Sequence, residues 1–222
     1  MTERQPSAEP PSEWLLGGSG RPQRVLVETV PVGPPGGTAA QHRAGRTAAA
    51  AALRRAGCAT TSVGRRRSGA PVFPRGYAGS VSHTHGLAVA AVAPGAPGVG
   101  VDLEFRLPEA RLHRFLLDDT ERALLWPDGD RERLRRLFAA KEAAFKALTE
   151  CHEGHGGLFW RVRLRPHGDG LWARAGDRYA VVGDGTTSRY AFAVAVAVGG
   201  APGPWAGPSE GRAEPLPAIS RS

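Results

Sequence analysis

Along this chain of 222 residues, apolar and polar positions order themselves into two halves of similar grammar. In the first, Val25 to Val32 reads as a strand and is followed by a Pro-Gly loop at Gly33 to Gly37. An alanine-rich helix then runs from about Ala39 to Arg55 and closes at Gly57, a residue suited to the left-handed turn after a helix. A loop bearing Arg65, Arg66 and Arg67 leads to two short apolar strands, around Gly79 to Ser82 and Leu87 to Ala93.

The second half opens on a strand, Val99 to Glu104. Leucine spacing predicts a helix over about Pro108 to Leu125. The main helix is expected from about Asp130 to Thr149, where Leu134, Phe138, Lys141, Phe145 and Leu148 recur at i+4 and i+3 steps. Strands follow at Trp160 to Arg165, Leu171 to Ala175 and Arg189 to Val198, with Arg178 to Val182 paired nearby. The reading is an α+β chain of two similar α/β halves, 21–97 and 98–198, which suggests an internal duplication. The ends, 1–20 and 199–222, are rich in Pro, Gly, Ser and Glu and are expected to be disordered, most clearly up to Ser12.

An apolar content of 41% and a charged content of 23% place the ordered part among soluble globular domains. No apolar run reaches the length of a membrane span. Met1 to Pro11 lacks the apolar core of a signal peptide. Cys58 and Cys151 have no framework spacing, so a reducing, cytoplasmic setting is expected. The net charge of +8 calls for an anionic partner: nucleic acid, a phosphorylated small molecule or an acidic protein.

Only two of the 29 basic side chains are lysines, Lys141 and Lys146, and they flank Glu142 in Lys-Glu-Ala-Ala-Phe-Lys. A compact ammonium acts as a point charge, unlike the planar fork of arginine. On the strand Val99–Glu104, Asp102 and Glu104 project to one side while Val99, Val101 and Leu103 pack the other way. Paired carboxylates there repel one another unless a cation sits between them, and Mg²⁺ is the natural candidate. Glu142 can complete such a site, with Lys146 one turn further on the same helix face. An ammonium beside metal-binding acids implies phosphate, so the local chemistry reads as Mg²⁺-assisted phosphoryl transfer. Ser82 and His83, in a glycine-bearing turn, suit a phosphate contact.

In order and separation, Ser82-His83, Gly98-Val-Gly-Val-Asp-Leu-Glu104 and Lys141-Glu-Ala-Ala-Phe-Lys146 resemble the 4′-phosphopantetheinyl transferases. The likeness is to the larger pseudo-dimeric Sfp-like class, particularly its siderophore-synthesis, EntD-like branch, and covers about residues 40 to 198. The resemblance implies an intramolecular pseudo-dimer that moves phosphopantetheine from coenzyme A to a serine of an apo acyl- or peptidyl-carrier protein. Adenosine 3′,5′-bisphosphate would be released. It implies Asp102, Glu104 and Glu142 as metal ligands, with Glu142 helping to deprotonate the carrier serine directly or through a metal-bound water. Lys141 and Lys146 would meet the pyrophosphate, and Ser82 and His83 a phosphate on the adenosine side. Arg46, assisted by Arg43, would grip the 3′-phosphate, and one of Arg65, Arg66 and Arg67, with Arg67 favoured, would approach the nucleotide. Gly69 to Pro74 resembles the loop near the adenine, although Ala70 stands where relatives carry a basic or polar residue. No basic residue lies between Val25 and Gln41, where some relatives hold the 3′-phosphate with lysines.

On this reading the positive charge steers coenzyme A and an acidic carrier of polyketide or peptide synthesis toward a monomeric enzyme. The arginines of 131–136 and the leucine-spaced segment 112–125 are the expected docking surface. A nucleic-acid-binding protein would explain the charge but not the three carboxylates, and no standard nucleic-acid signature is present. A Mg²⁺-dependent phosphatase or nuclease remains the other alternative. A zinc site at Cys151, His152 and His155 lacks a fourth ligand.

Overall fold

The computed structural model describes residues 10–17, 22–67, 69–149, 159–187, 189–200 and 205. The first half contains β1 (Glu13–Leu16), β2 (Gln23–Pro31), α1 (Gly37–Arg55), the two-residue strands β3 (Gly64–Arg65) and β4 (Pro71–Val72), β5 (Tyr77–His83) and β6 (Leu87–Pro94). The second contains β7 (Val99–Glu104), a 3₁₀ turn at Ala110–Leu112, α2 (His113–Leu116), α3 (Asp119–Leu125) and α4 (Arg131–Thr149). After a second 3₁₀ turn at Phe159–Arg161 come β8 (Arg163–His167), β9 (Gly170–Ala175), β10 (Arg178–Thr186) and β11 (Ala191–Val198).

Two antiparallel sheets carry the molecule, in the orders β1-β2-β6-β5 and β7-β11-β10-β9-β8. The duplication is visible in their topology. In each half a strand leads to a long helix, and the last strand then inserts between the first and the one before it: β2-β6-β5 matches β7-β11-β10.

Period-two alternation sorts each central strand between two cores. From β6, Val89, Ala91 and Ala93 meet Val101, Leu103, Phe192, Val194 and Val196 of the second sheet. Its intervening Ala90 and Val92 lie under Ala48, Ala49, Ala52 and Leu53 of α1. On β11 the large Phe192, Val194 and Val196 face the other sheet, whereas Ala193, Ala195 and Ala197 lie under α4. The layers are therefore helix, sheet, sheet, helix. Small residues line the helix–sheet contacts, so both helices lie close to their strands.

Two expectations need correction. The segment 1–20 contains a strand, β1, because Trp14 and Leu16 find apolar cover across the sheet interface. Trp14 packs on Phe192, and a side chain at Gly183 would meet the Trp14 ring at 2.3 Å. The helix predicted over 108–125 is broken at Leu117, where the chain turns extended and Asp118 starts α3 with a capping box through Glu121. Beyond Gly200 the described residues include only Trp205, which lies over the guanidinium groups of Arg165 and Arg174. Cys151, His152 and His155 lie outside the described residues. No helix among the described residues is long and apolar enough to cross a membrane.

Candidate active site

The site forms where the edge strand β5 of the first sheet comes beside the edge strand β7 of the second. α4 runs over β7 in the opposite direction, and Gly100 sets how close it lies. A Cβ at Gly100 would fall 1.8 Å from the Ala143 carbonyl oxygen, so only glycine admits the helix at this distance. That approach carries Glu142 and Lys146 over the face of β7 that bears Asp102 and Glu104. Val99, Val101 and Leu103 fill the core on the opposite face, as the alternation predicts.

Asp102 is the centre of the cluster. Its Oδ1 accepts from Ser82 Oγ at 2.9 Å and from Lys146 Nζ at 2.6 Å, and its buried Oδ2 has no hydrogen-bond partner among the described residues. Lys146 also donates to the Val101 carbonyl at 3.1 Å. Burial, then the negative charges of Asp102 and Glu142, push the Glu104 carboxyl up to about 8. Burial also raises Glu142, with Asp102 adding to the effect and Lys146 opposing it. Three acids thus crowd one ammonium, and Glu104 keeps its proton through neutral pH.

Among the described residues no three His, Cys, Asp or Glu side chains converge closely enough to hold a metal as they stand, and the Lys146 ammonium lies against Asp102. The donor chemistry nevertheless suits a hard divalent cation. The carboxylates raise one another's proton affinity, and one buried oxygen is left without a donor.

Lys141 does not join this group, which corrects its expected place at the pyrophosphate. Its side chain is fully buried, with Nζ at 2.9 Å from both Glu121 oxygens and 2.6 Å from the Val162 carbonyl. Its place in the apolar stripe of α4, beside Leu134, Phe138, Phe145 and Leu148, turns it into the core. A buried ammonium needs a buried acid. Glu121 is that acid, and the Asp118-x-x-Glu121 spacing was the sequence signal for its capping box. Glu121 accepts in addition from the backbone N–H groups of Asp118 and Leu164. The pair fastens α3, α4 and the start of β8 together.

His83 lies at the end of β5, its ring 5.8 Å from that of His42 on α1. Partial burial, His42 and Lys146 hold the His83 imidazole below the usual histidine range. Arg43 and Arg46 are exposed on α1, and among the described residues neither bonds the carboxylates. Arg66 and Arg67 line a cleft of about 970 Å³ together with Phe73, Tyr77 and Thr149, at the end of α4. Arg65 instead bonds the Gly69 carbonyl of its own loop. Ala70 to Pro74 line the same cleft.

The arginines of 131–136 are mostly committed within the fold. Arg131 bonds the Pro108 carbonyl, Arg133 the Leu125 carbonyl and Arg135 those of Phe105 and Arg189, while Arg136 pairs with Asp184. Exposed apolar side chains cluster just upstream instead, at Phe105, Leu107, Leu112 and Phe115.

Two family models match the chain, one in each half. Residues 39–93 match the 4′-phosphopantetheinyl transferase N-terminal domain, and residues 98–180 match the 4′-phosphopantetheinyl transferase superfamily. The two stretches together cover well over half of the chain, which belongs to the 4′-phosphopantetheinyl transferase superfamily. Among curated proteins, 4′-phosphopantetheinyl transferase Npt of Nocardia iowensis is 38% identical over 90 residues, 39% of this chain. That alignment spans 40% of the length of the relative.

Proposed function

We propose that this chain transfers the 4′-phosphopantetheine arm of coenzyme A to a serine hydroxyl of an apo acyl- or peptidyl-carrier protein. The serine oxygen bonds to the phosphorus that bears the pantetheine, and the bond from that phosphorus to the bridging oxygen breaks. Adenosine 3′,5′-bisphosphate leaves with the bonding electrons. The observation that carries this reading is the junction at Asp102, where a serine from one half and a lysine from the other share one carboxylate oxygen.

Asp102, Glu104 and Glu142 would hold the divalent cation, Mg²⁺ or Mn²⁺, which when bound would offset the charge of the pyrophosphate. Glu142 accepts the proton of the incoming serine, a role suited to a carboxylate whose proton affinity burial has raised. Lys146 supplies positive charge to the leaving side of the pyrophosphate, and Ser82 and His83 meet phosphate on the adenosine side. Arg66 and Arg67 face the nucleotide from the cleft. Arg43 and Arg46 meet the 3′-phosphate from α1.

The carrier rests on the exposed apolar strip of Phe105, Leu107, Leu112 and Phe115, next to Glu104 and among Arg106 and Arg114. Such a strip suits an acidic carrier with an apolar face. The enzyme works as a monomer in the cytoplasm, since one chain contributes both walls of the site. On this reading it works as an Sfp-like enzyme of the siderophore-synthesis, EntD-like branch, serving carriers of secondary metabolism.

The test is a mass measurement on apo carrier proteins incubated with the enzyme, coenzyme A and Mg²⁺. A phosphopantetheine mass gain that Asp102→Ala and Glu142→Ala lower by about 10²-fold or more is the expected result. No gain with fatty-acid, polyketide and peptide carriers alike would overturn the proposal.

A further inference from the structure

Of the histidines in the described residues, His42 is the one that stands against a proposed substrate contact, and no role has been assigned to it. Three features hold it in place. Gln41 Nε2 donates to the Thr84 carbonyl at 3.3 Å, tying the start of α1 to the turn just after His83. Gly45, one turn on, lies so close to β5 that a Cβ there would sit 2.8 Å from Val81 Cγ1. Between these two anchors the His42 ring meets the His83 ring edge to face, at 5.8 Å and 66°.

Alternation along β5 then separates two kinds of anion contact. Ser82 points to Asp102 and the carboxylate cluster, whereas His83, the next residue, points toward α1 and His42. Arg46 lies one helical turn beyond His42 and is exposed. Two imidazoles and a guanidinium therefore gather on the side of β5 away from the acids. Acidic side chains are absent from α1, as they are from β5.

Protonation of His83 beside a second imidazole and the Lys146 charge is unfavourable unless an anion lies against the pair. Burial first, then His42 and Lys146, lower the proton affinity of His83, and a phosphate laid against the ring would act the other way. A phosphomonoester dianion can accept from both rings at once, and a pyrophosphate oxygen with a single charge is a weaker match.

We propose that His42 and His83 form a paired-imidazole clasp for the phosphomonoester of the nucleotide, the 3′-phosphate of coenzyme A. His42 thereby supplies a contact on a chain that has no basic residue between Val25 and Gln41. This inference rests on the transferase reading above, because it takes coenzyme A as the ligand. It assigns His42 to binding and not to the bond-making step.

The test measures dissociation constants for coenzyme A and for 3′-dephospho-coenzyme A with the full chain and with His42→Gln and His42→Phe. The expected result is about tenfold weaker binding of coenzyme A in both variants, the loss of one charge-assisted contact. Binding of 3′-dephospho-coenzyme A stays unchanged. His42→Phe keeps an aromatic ring against His83, so normal coenzyme A affinity in that variant would make the contact one of packing and overturn the clasp. An equal loss for both ligands, or no loss for either, would overturn it as well. Failure of the unaltered chain to bind coenzyme A would instead sink the transferase reading, and this inference with it.

Discussion

Lys141 and Lys146 stand little more than one turn apart on α4, and each is bonded to a carboxylate, yet their surroundings are opposite. Around Lys141 every polar group is satisfied: the ammonium has Glu121 and the Val162 carbonyl, and Glu121 has two backbone donors besides. Around Lys146 the balance is left open. Asp102 keeps a buried oxygen without a donor, and Glu104 and Glu142 hold their protons too tightly for ordinary surface acids. A closed network of buried charge fixes one arrangement of the chain. An open one has capacity left for a ligand, which is why the same residue type serves structure at one position and chemistry at the other.

The comparison breaks first at the closed pair. Glu121→Ala leaves the Lys141 charge buried without a counter-ion and is expected to cost about 3–5 kcal/mol, read from denaturant unfolding. The double variant Glu121→Gln with Lys141→Met removes both charges and is expected to recover at least half of that loss. No recovery would mean that the two groups do not act as a pair.

At the open pair, Lys146→Arg keeps the charge but replaces a point with a fork. Turnover is expected to fall by about 10²-fold while coenzyme A affinity changes little, in a comparison of kcat with the dissociation constant. Near-normal turnover would show that any cation serves there. A smaller effect separates the cap from the ion pair. Asp118→Ala removes one half of the capping box and should cost about 1 kcal/mol in thermal unfolding, with turnover per folded molecule unchanged.

Much of this division was legible in the residues themselves. Alternation along 99–104 put Asp102 and Glu104 on one side, and helical spacing put Glu142 and Lys146 on one face. The fold adds only that α4 and β7 bring those two faces together. The same helical spacing also placed Lys141 among Leu134, Phe138, Phe145 and Leu148, which is a statement of burial. Its motif position outweighed that signal in the sequence reading, because burial of a lysine becomes credible only once its partner is known. Glu121 lies 20 residues away along the chain, and a continuous helix through 108–125 hid the capping box that turns it inward. β1 was missed for a similar reason. Four residues in a Pro- and Gly-rich stretch look unstructured until Gly183, on a strand of the other half, provides a seat for Trp14. The pairing of His42 with His83 likewise depends on how α1 docks, which local pattern does not specify.

The most direct measurement of this account sets Lys141→Met and Lys146→Met side by side, recording the thermal midpoint and the transfer of phosphopantetheine to an apo carrier for each. Lys141→Met is expected to lower the midpoint by about 10 °C and to retain turnover per folded molecule at low temperature. Lys146→Met is expected to stay within about 3 °C of the parent and to lose transfer by about 10²-fold or more. The reverse pattern, or two variants that lose stability and transfer in equal measure, would contradict the separation of the two lysines.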